Sequence, residues 1–215
     1  MALVLHFHPL SSFCQKVVVA LYEKGTAFTP HLVDLMTEGP RAAFYELWPI
    51  GKFPVLRDDE RNLTVPESSV IIEYIDRLRP GGTKLIPDDF DAALRARQWD
   101  RVFDLYVNVP MQKIVGDRMR PQDKKDPFGV AEARALIQRA LTVVERAVAA
   151  QPFAAGDAFT MADCAAAPAL FYADMVAPFA ETHPATAAYL QRLKERPSFA
   201  RALEEAKPYL HLVPQ

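Results

Sequence analysis

Cysteine is scarce in this chain of 215 residues, which carries only Cys14 and Cys164. Two cysteines so far apart exclude a disulfide framework and point to the reducing cytoplasm. Histidine is nearly as rare, with five copies. His6 and His8 share one face of an expected strand because side chains alternate there. No third ligand follows at zinc-site spacing, so the pair reads as packing or hydrogen bonding, and no metal is expected. Charge of one sign is also missing: 25 Lys and Arg stand against 27 Asp and Glu, for a net charge of −2. That balance leaves nothing to neutralise a phosphate backbone, and nucleic acid is not an expected partner. The densest basic stretch, Arg118 to Lys125, is broken up by Asp117 and Asp123 and reads as a solvated loop. No apolar run approaches the roughly 18 residues of a membrane span. Met1 to Phe7 has neither the basic leader nor the apolar length of a signal peptide.

What the chain does have is an ordinary globular composition, 50% apolar and 24% charged, long enough for two modest domains or one large one. Leu3 to Phe7 is a short apolar run ending before Pro9, a buried strand. Phe13 to Lys24 follows as a helix, with Val17, Val18, Leu21 and Tyr22 at helical spacing and Gly25 at the position just past its end. Phe28 to Val33 gives a second strand, so the first two strands should be parallel. After an irregular segment from Thr37 to Lys52, Pro54-Val55-Leu56 and Leu63-Thr64-Val65 flank the polar turn Asp58-Asp59-Glu60-Arg61, an antiparallel hairpin. Ser68 to Leu78 is a helix with Val70, Ile71, Tyr74, Ile75 and Leu78 on one face. Arg79-Pro80-Gly81-Gly82-Thr83 stops it and is the strongest linker signal in the chain.

Beyond the linker every segment reads as helix. Asp91 to about Val107 puts Trp99, Val102, Phe103 and Tyr106 on one stripe, and Pro110 should kink or end it. Val130 to Ala150 is amphipathic. Met161 to about Met175 is apolar nearly all round and should be the central helix. Pro184 to Glu195 and Ser198 to Ala206 complete the bundle. Thr160 and Asp163 have the spacing of a capping box, which assigns Asp163 to the backbone rather than to acid–base work. The fold expected is an α/β domain of residues 1–79, a linker of 80–89 and an all-helical domain of 90–215.

Three segments could carry chemistry. Strand, helix, strand, hairpin, helix within about 80 residues is the plan of a thioredoxin-like domain. In redox members a Cys-x-x-Cys motif sits where the first strand meets the first helix, since a helix N-terminus stabilises a thiolate. Here that place reads Ser11-Ser12-Phe13-Cys14. A serine stands for the nucleophilic cysteine, which rules out dithiol exchange but leaves a hydroxyl able to donate to a thiolate brought in by a cofactor. Ser12 is expected as the helix cap, and Cys14 as a packed side chain. The second segment is Gly51-Lys52-Phe53-Pro54, where a cis-proline would present the Phe53 N–H and C=O to a peptide-like ligand. The third is Glu67-Ser68: the helix N-terminus and Ser68 suit a carboxylate, and Glu67 suits an ammonium.

A hydroxyl for a sulfur, an exposed backbone for a cysteinyl unit and a clamp for an amino-acid head together describe glutathione. On these residues, and on Gly156 to Asp163, the chain resembles the cytosolic glutathione transferase superfamily over essentially its whole length. Its serine turn is similar to that of the theta and zeta classes, but the zeta run S-S-C-S is absent, and a maleylacetoacetate isomerase is not supported. Trp48 and Phe53 replace the Asn and Val common in the family's N-P-x-G-K-V-P loop. The resemblance implies glutathione as co-substrate and Ser11 as the catalytic residue. Ser11, Lys52, Phe53, Pro54, Glu67 and Ser68 would bind the tripeptide, with Lys52 reaching its glycyl carboxylate. A small hydrophobic electrophile would sit among Phe13, Tyr106, Met111 and Arg118. A homodimer is implied too. The alternatives on the same fold are a glutathione-dependent isomerase, dehalogenase or peroxidase, or a glutathione-binding regulatory protein without turnover.

Overall fold

In the computed structural model, which describes residues 3–78 and 80–214, the first element is β1 (Leu3–Phe7). Helix α1 (Ser12–Glu23) follows, ended by Gly25 at a left-handed φ of 59°. Strand β2 (Thr29–Leu32) pairs parallel to β1, as a strand–helix–strand unit requires. The hairpin of β3 (Val55–Asp58) and β4 (Leu63–Pro66) is antiparallel and completes a sheet of order β2-β1-β3-β4. Its turn is held by the Asp58 carboxylate, which accepts the Arg61 N–H at 3.1 Å and the Tyr74 hydroxyl at 2.6 Å. Met1, Ala2, Arg79 and Gln215, which the expected domain limits include, lie outside the described residues.

Three departures from the pattern have physical causes. The segment expected to be irregular contains helix α2 (Glu38–Leu47). Gly39 and Pro40 obscure it, yet both fall in the first turn, where a missing N–H costs nothing. Phe44 is its only buried side chain, in a small cluster with the partly buried Leu47 and Trp48. Helix α3 (Ser68–Leu78) has the expected bounds but a rotated face: Ile71, Ile72 and Ile75 are buried, while Val70 is 54% exposed. Fully burying each isoleucine stabilises the fold by about 1.5–3 kcal/mol, which fixes the rotation.

The third departure is in the long helix after the linker. It runs as α4 (Phe90–Val102), a π turn (Phe103–Asn108) and α5 (Val109–Arg118), so Pro110 does not end it. In an α-helix the Pro110 ring would press on the carbonyl four residues back. The π turn widens the ladder just there: the Val109 N–H bonds the Asp104 carbonyl, five residues back. The extra residue also rotates the stripe. Phe103 and Val107 are buried, whereas Tyr106, expected beside them, is 48% exposed.

The remaining helices are α6 (Pro127–Ala150), α7 (Met161–Val176), α8 (Pro184–Glu195) and α9 (Pro197–Ala206), with a closing 3-10 turn over Lys207–Leu212. Helix α7 is buried almost all round, as its composition requires, and opens on the full Thr160–Asp163 capping box. Asp163 also accepts the Ala154 N–H at 3.0 Å and the Tyr189 hydroxyl, tying α8 to the same carboxylate.

Two buried ionic joints lock the sheet domain to the helices. Lys16 on α1 is 1% exposed and lies 2.6 Å from Asp100 and 2.7 Å from Asp104 of the long helix. Ser69 at the start of α3 accepts from Lys16 at 2.8 Å and donates to Asp100 at 2.7 Å. At the other end of α1, Glu23 accepts Arg196 twice at 2.7 Å, Ser198 at 2.5 Å and Thr83 at 2.8 Å. Gly82 is required beside it: its φ is 68°, and a Cβ there would lie 2.4 Å from the Glu23 carbonyl oxygen.

Asp163→Ala strips partners from two backbone N–H groups and a buried tyrosine, and should cost at least about 2 kcal/mol in urea denaturation. Burial pushes the Glu23 carboxyl up, but Arg196, Ser198 and Thr83 outweigh it and hold the group below the usual carboxylate value. Glu23 therefore stays ionised to lower pH in the folded chain than in the unfolded one. Its joint is intact above the ordinary value of 4.5 and is lost as pH falls through the folded one. Glu23→Gln should melt below the wild type at pH 7, with the gap closing as pH falls from 4.5 through the lowered folded value. A gap of constant size across that range would show that the ionised carboxylate is not what holds the joint.

Candidate functional site

The topology brings the three candidate segments to one end of the sheet. Strand β1 finishes there and leads into the turn before α1. Strand β3 is antiparallel to β1, with His6 opposite Val55, so the Phe53-Pro54 peptide before it lies beside the end of β1. Strand β4 is antiparallel to β3, with Val55 opposite Pro66, so Glu67-Ser68 arrives at the same end. Just ahead of the first segment, the His8 ring stacks on Phe53 with centroids 6.3 Å apart.

The cap expected at Ser12 is supplied by Ser11. Ser11, half-buried and with extended backbone, is the N-cap of α1 and accepts the Cys14 N–H at 3.4 Å. Capping occupies a lone pair of the oxygen and leaves the O–H free to donate outward. Ser12 is not the cap. It is the first helical residue, buried, and its hydroxyl donates to Asn108 in the π turn at 2.7 Å. Asn108 is therefore a joint residue that sequence reasoning missed, although a polar amide in an apolar helical stretch was the visible signal.

The Phe53-Pro54 peptide is cis. Ladder pairing begins only at Val55, and among the described residues no hydrogen bond engages the Phe53 backbone. Lys52 is exposed next to it. Glu67 is exposed and sits at φ 71°, a left-handed conformation that a glutamate rarely adopts. Such strain concentrates at ligand-holding turns. It was invisible in the sequence, where nothing distinguishes this glutamate from an ordinary helix-start residue. Ser68 behind it is buried in the first turn of α3, where the N–H groups have no partner within the helix.

The expected electrophile wall is assembled only in part. Phe13 is half-buried at the start of α1, and Tyr106 is exposed on the π turn. Met111 instead packs into the core at 3% exposure, because the π turn rotates α5 and carries it inward. Arg118 donates to the Pro214 carbonyl at 3.2 Å and so fastens the C-terminal segment. That segment brings a residue the sequence gave no reason to choose: Tyr209 meets the His8 ring edge-on at 5.5 Å.

Both cysteines are fully buried. Burial pushes the Cys14 thiol up to about 12, against the smaller opposing effect of its bonds to Ser11 and His8. Cys14 is thus a packed side chain at neutral pH. Among the described residues no group of three His, Cys, Asp or Glu side chains could hold a metal ion.

Comparison with known proteins gives this arrangement a family. The family model described as "Glutathione S-transferase, N-terminal domain" matches residues 5–83, and "Glutathione S-transferase, C-terminal domain" matches residues 127–192. The chain belongs to the glutathione transferase superfamily. A glutathione S-transferase of Pseudomonas putida is 28% identical over 209 residues, covering 94% of this chain and 92% of the relative. The crystal structure of a glutathione S-transferase from Methylobacterium radiotolerans, in complex with glutathione sulfonate, is 27% identical with a TM-score of 0.81, covering 94% of each chain. A Methylobacillus flagellatus glutathione S-transferase solved with glutathione bound shares the fold at 24% identity and a TM-score of 0.85, covering 93% of this chain and 98% of that one.

For this transferase the thiol chemistry gives a direct check. A thiol reagent at pH 8 should leave both cysteines unmodified in the folded protein and titrate two per chain in denaturant. Fast native labelling of Cys14 would contradict its packing.

Proposed function

We propose that this glutathione transferase activates the thiol of glutathione through Ser11 and delivers it to a small hydrophobic electrophile. The reading is carried by one observation: a capping serine with a spare O–H, an unpaired peptide backbone and a helix N-terminus converge at one end of the sheet. Each matches one part of the tripeptide. The Ser11 O–H donates to the sulfur, the Phe53 N–H and C=O pair with the cysteinyl unit as an added strand, and Ser68 with the first N–H groups of α3 holds the γ-glutamyl carboxylate. Glu67 takes the ammonium, and Lys52 the glycyl carboxylate. The solved relative complexed with glutathione sulfonate supports the ligand. In this mechanism the protein supplies a lowered thiol pKa and proximity, and the sulfur performs the chemistry.

The electrophile would rest against Phe13 and Tyr106. A homodimer is supported by the exposed apolar Val70 and Leu94, which lie one turn from the Glu73–Arg97 ion pair joining α3 to α4. A cytoplasmic home is supported by the two unpaired thiols. Among the described residues no helix is long and apolar enough to cross a membrane.

The test is the ionisation of bound glutathione. A free thiol titrates near 8.5, and a hydrogen bond to a charged group contributes about 1.5–3 kcal/mol. Thiolate absorbance should therefore appear at about pH 6.5–7.5 in the complex. Ser11→Ala should return it toward the free value and slow the chemical step about ten- to a hundredfold at neutral pH. Its effect on glutathione affinity should be small. Ser68→Ala and Glu67→Gln should do the reverse, weakening affinity by roughly 5–30-fold. Ser12→Ala should cost stability, and Cys14→Ser should leave turnover nearly intact. If Cys14→Ser abolishes turnover while Ser11→Ala spares it, the reading fails.

A further inference from the structure

His8 belongs to none of the three segments, yet the structure builds it into their meeting point. Its main chain is fixed to the serine turn: the carbonyl accepts the Ser11 N–H at 3.0 Å, and the N–H donates to the Cys14 sulfur at 3.5 Å. Its ring is held on two sides, stacked on Phe53 at an interplanar angle of 25° and met edge-on by Tyr209 at 70°. Nδ1 accepts the Leu10 N–H at 3.2 Å. A neutral imidazole whose Nδ1 accepts must carry its proton on Nε2. Among the described residues nothing hydrogen-bonds Nε2, and the ring is half-buried rather than sealed.

The ring is also neutral where the enzyme would work. Burial lowers its pKa, and Asp34 opposes this only in part. The Asp34 carboxylate is itself engaged by the Met36 N–H at 2.8 Å and by Thr37. The result is an immobilised donor of known tautomer, bordering the place where Phe53 would hold the cysteinyl unit and therefore the sulfur. The opposite wall is the C-terminal turn carrying Tyr209. Simple packing would be served equally well by phenylalanine, without a locked tautomer or an unused donor.

We propose that His8 is a specificity-determining residue of this site, its Nε2–H binding the carbonyl oxygen of an α,β-unsaturated carbonyl electrophile. The inference rests on the reading of the site as one for glutathione. In the reaction the thiolate forms an S–C bond at the β-carbon, and the C=C π pair shifts toward the carbonyl oxygen. Nε2–H stabilises the negative charge gathering there, and solvent returns a proton to the α-carbon, so His8 is neither consumed nor charged. A donor aimed at charge that develops only in the transition state accelerates the chemical step rather than ground-state binding. An electrophile such as a benzyl halide, which expels halide and has no carbonyl, draws nothing from it.

The experiment compares wild type with His8→Phe and His8→Gln on the full chain. Glutathione affinity is measured by calorimetry, and kcat/KM at saturating glutathione for an enone and for benzyl chloride. His8→Phe should leave glutathione affinity and the benzyl chloride rate within about twofold while cutting the enone rate about tenfold. His8→Gln, whose amide N–H can replace Nε2–H, should recover most of the enone rate. Equal effects on both electrophiles, no effect on either, or a glutamine variant as poor as phenylalanine would overturn the role of His8 while leaving the glutathione site standing. Should His8→Phe not fold, His8→Leu against His8→Gln makes the same comparison. A wild-type chain that binds no glutathione overturns both readings together.

Discussion

The structure is organised around one buried cation. Lys16 sits in the middle of α1 with its ammonium among Asp100, Asp104 and Ser69, so a single side chain joins α1, α3 and the long helix. An unpaired ammonium there would cost several kcal/mol, and so would two uncompensated carboxylates, so the three elements can only assemble together. Burial pushes the Asp104 carboxyl up and Lys16 opposes it, while Arg101 closes the cluster from the solvent side. A pair like this selects one arrangement more than it adds net stability. What it selects is the placing of the α3 N-terminus, since Ser69 follows directly on Ser68 and Glu67. The proposed carboxylate clamp is thus tied, through the neighbouring Ser69, to this buried ion cluster.

The sequence-level reading succeeded where a local signal decided the outcome. The bounds of β1 follow from an apolar run stopped by proline, and those of α3 from a polar start and a Pro/Gly stop. The capping box at Thr160 and Asp163 is a pattern of two residues, and both of its hydrogen bonds are present. It fell short wherever the outcome depended on another part of the chain. Helix α2 carries Gly39 and Pro40 at its start, which read as breakers, and it buries only Phe44. Ser11 and Ser12 are equivalent on paper, and only Asn108, 96 residues on, draws the second one inward. The facing of α3 was misjudged by one position because the pattern admits two apolar stripes and only the sheet chooses between them. In the candidate site, the three segments were legible, whereas the strained Glu67 backbone and the contact of Tyr209 with His8 were not, because both arise from tertiary packing.

The family comparison and the geometry bear on different questions. Homologous models and relatives fix the superfamily, while the positions of Ser11, Phe53, Glu67 and Ser68 follow from strand pairing in this chain. The pairing of His6 with Val55 and of Val55 with Pro66 carries the ends of these segments to one end of the sheet. Ser11 illustrates how little is spent. One oxygen finishes a helix with its lone pair and keeps its O–H, so under the proposed mechanism the same atom serves folding and chemistry without conflict.

The π turn at Phe103–Asn108 has a genetic consequence as well as a structural one. Each residue of a helix advances the face by about 100°, so the single extra residue sets the phase of everything after it. Asp100 before the turn and Asp104 within it pair with Lys16, Asn108 at its end accepts from Ser12, and Met111 and Ile114 beyond it are buried in the core. Losing one codon here would close the turn into plain α-helix and set the Pro110 ring against the carbonyl four residues back. It would also turn one half against the other, so that either the cation or the core lost its partner. A change of side chain on this helix is felt at one contact, whereas a change in its length is felt at every contact beyond the change.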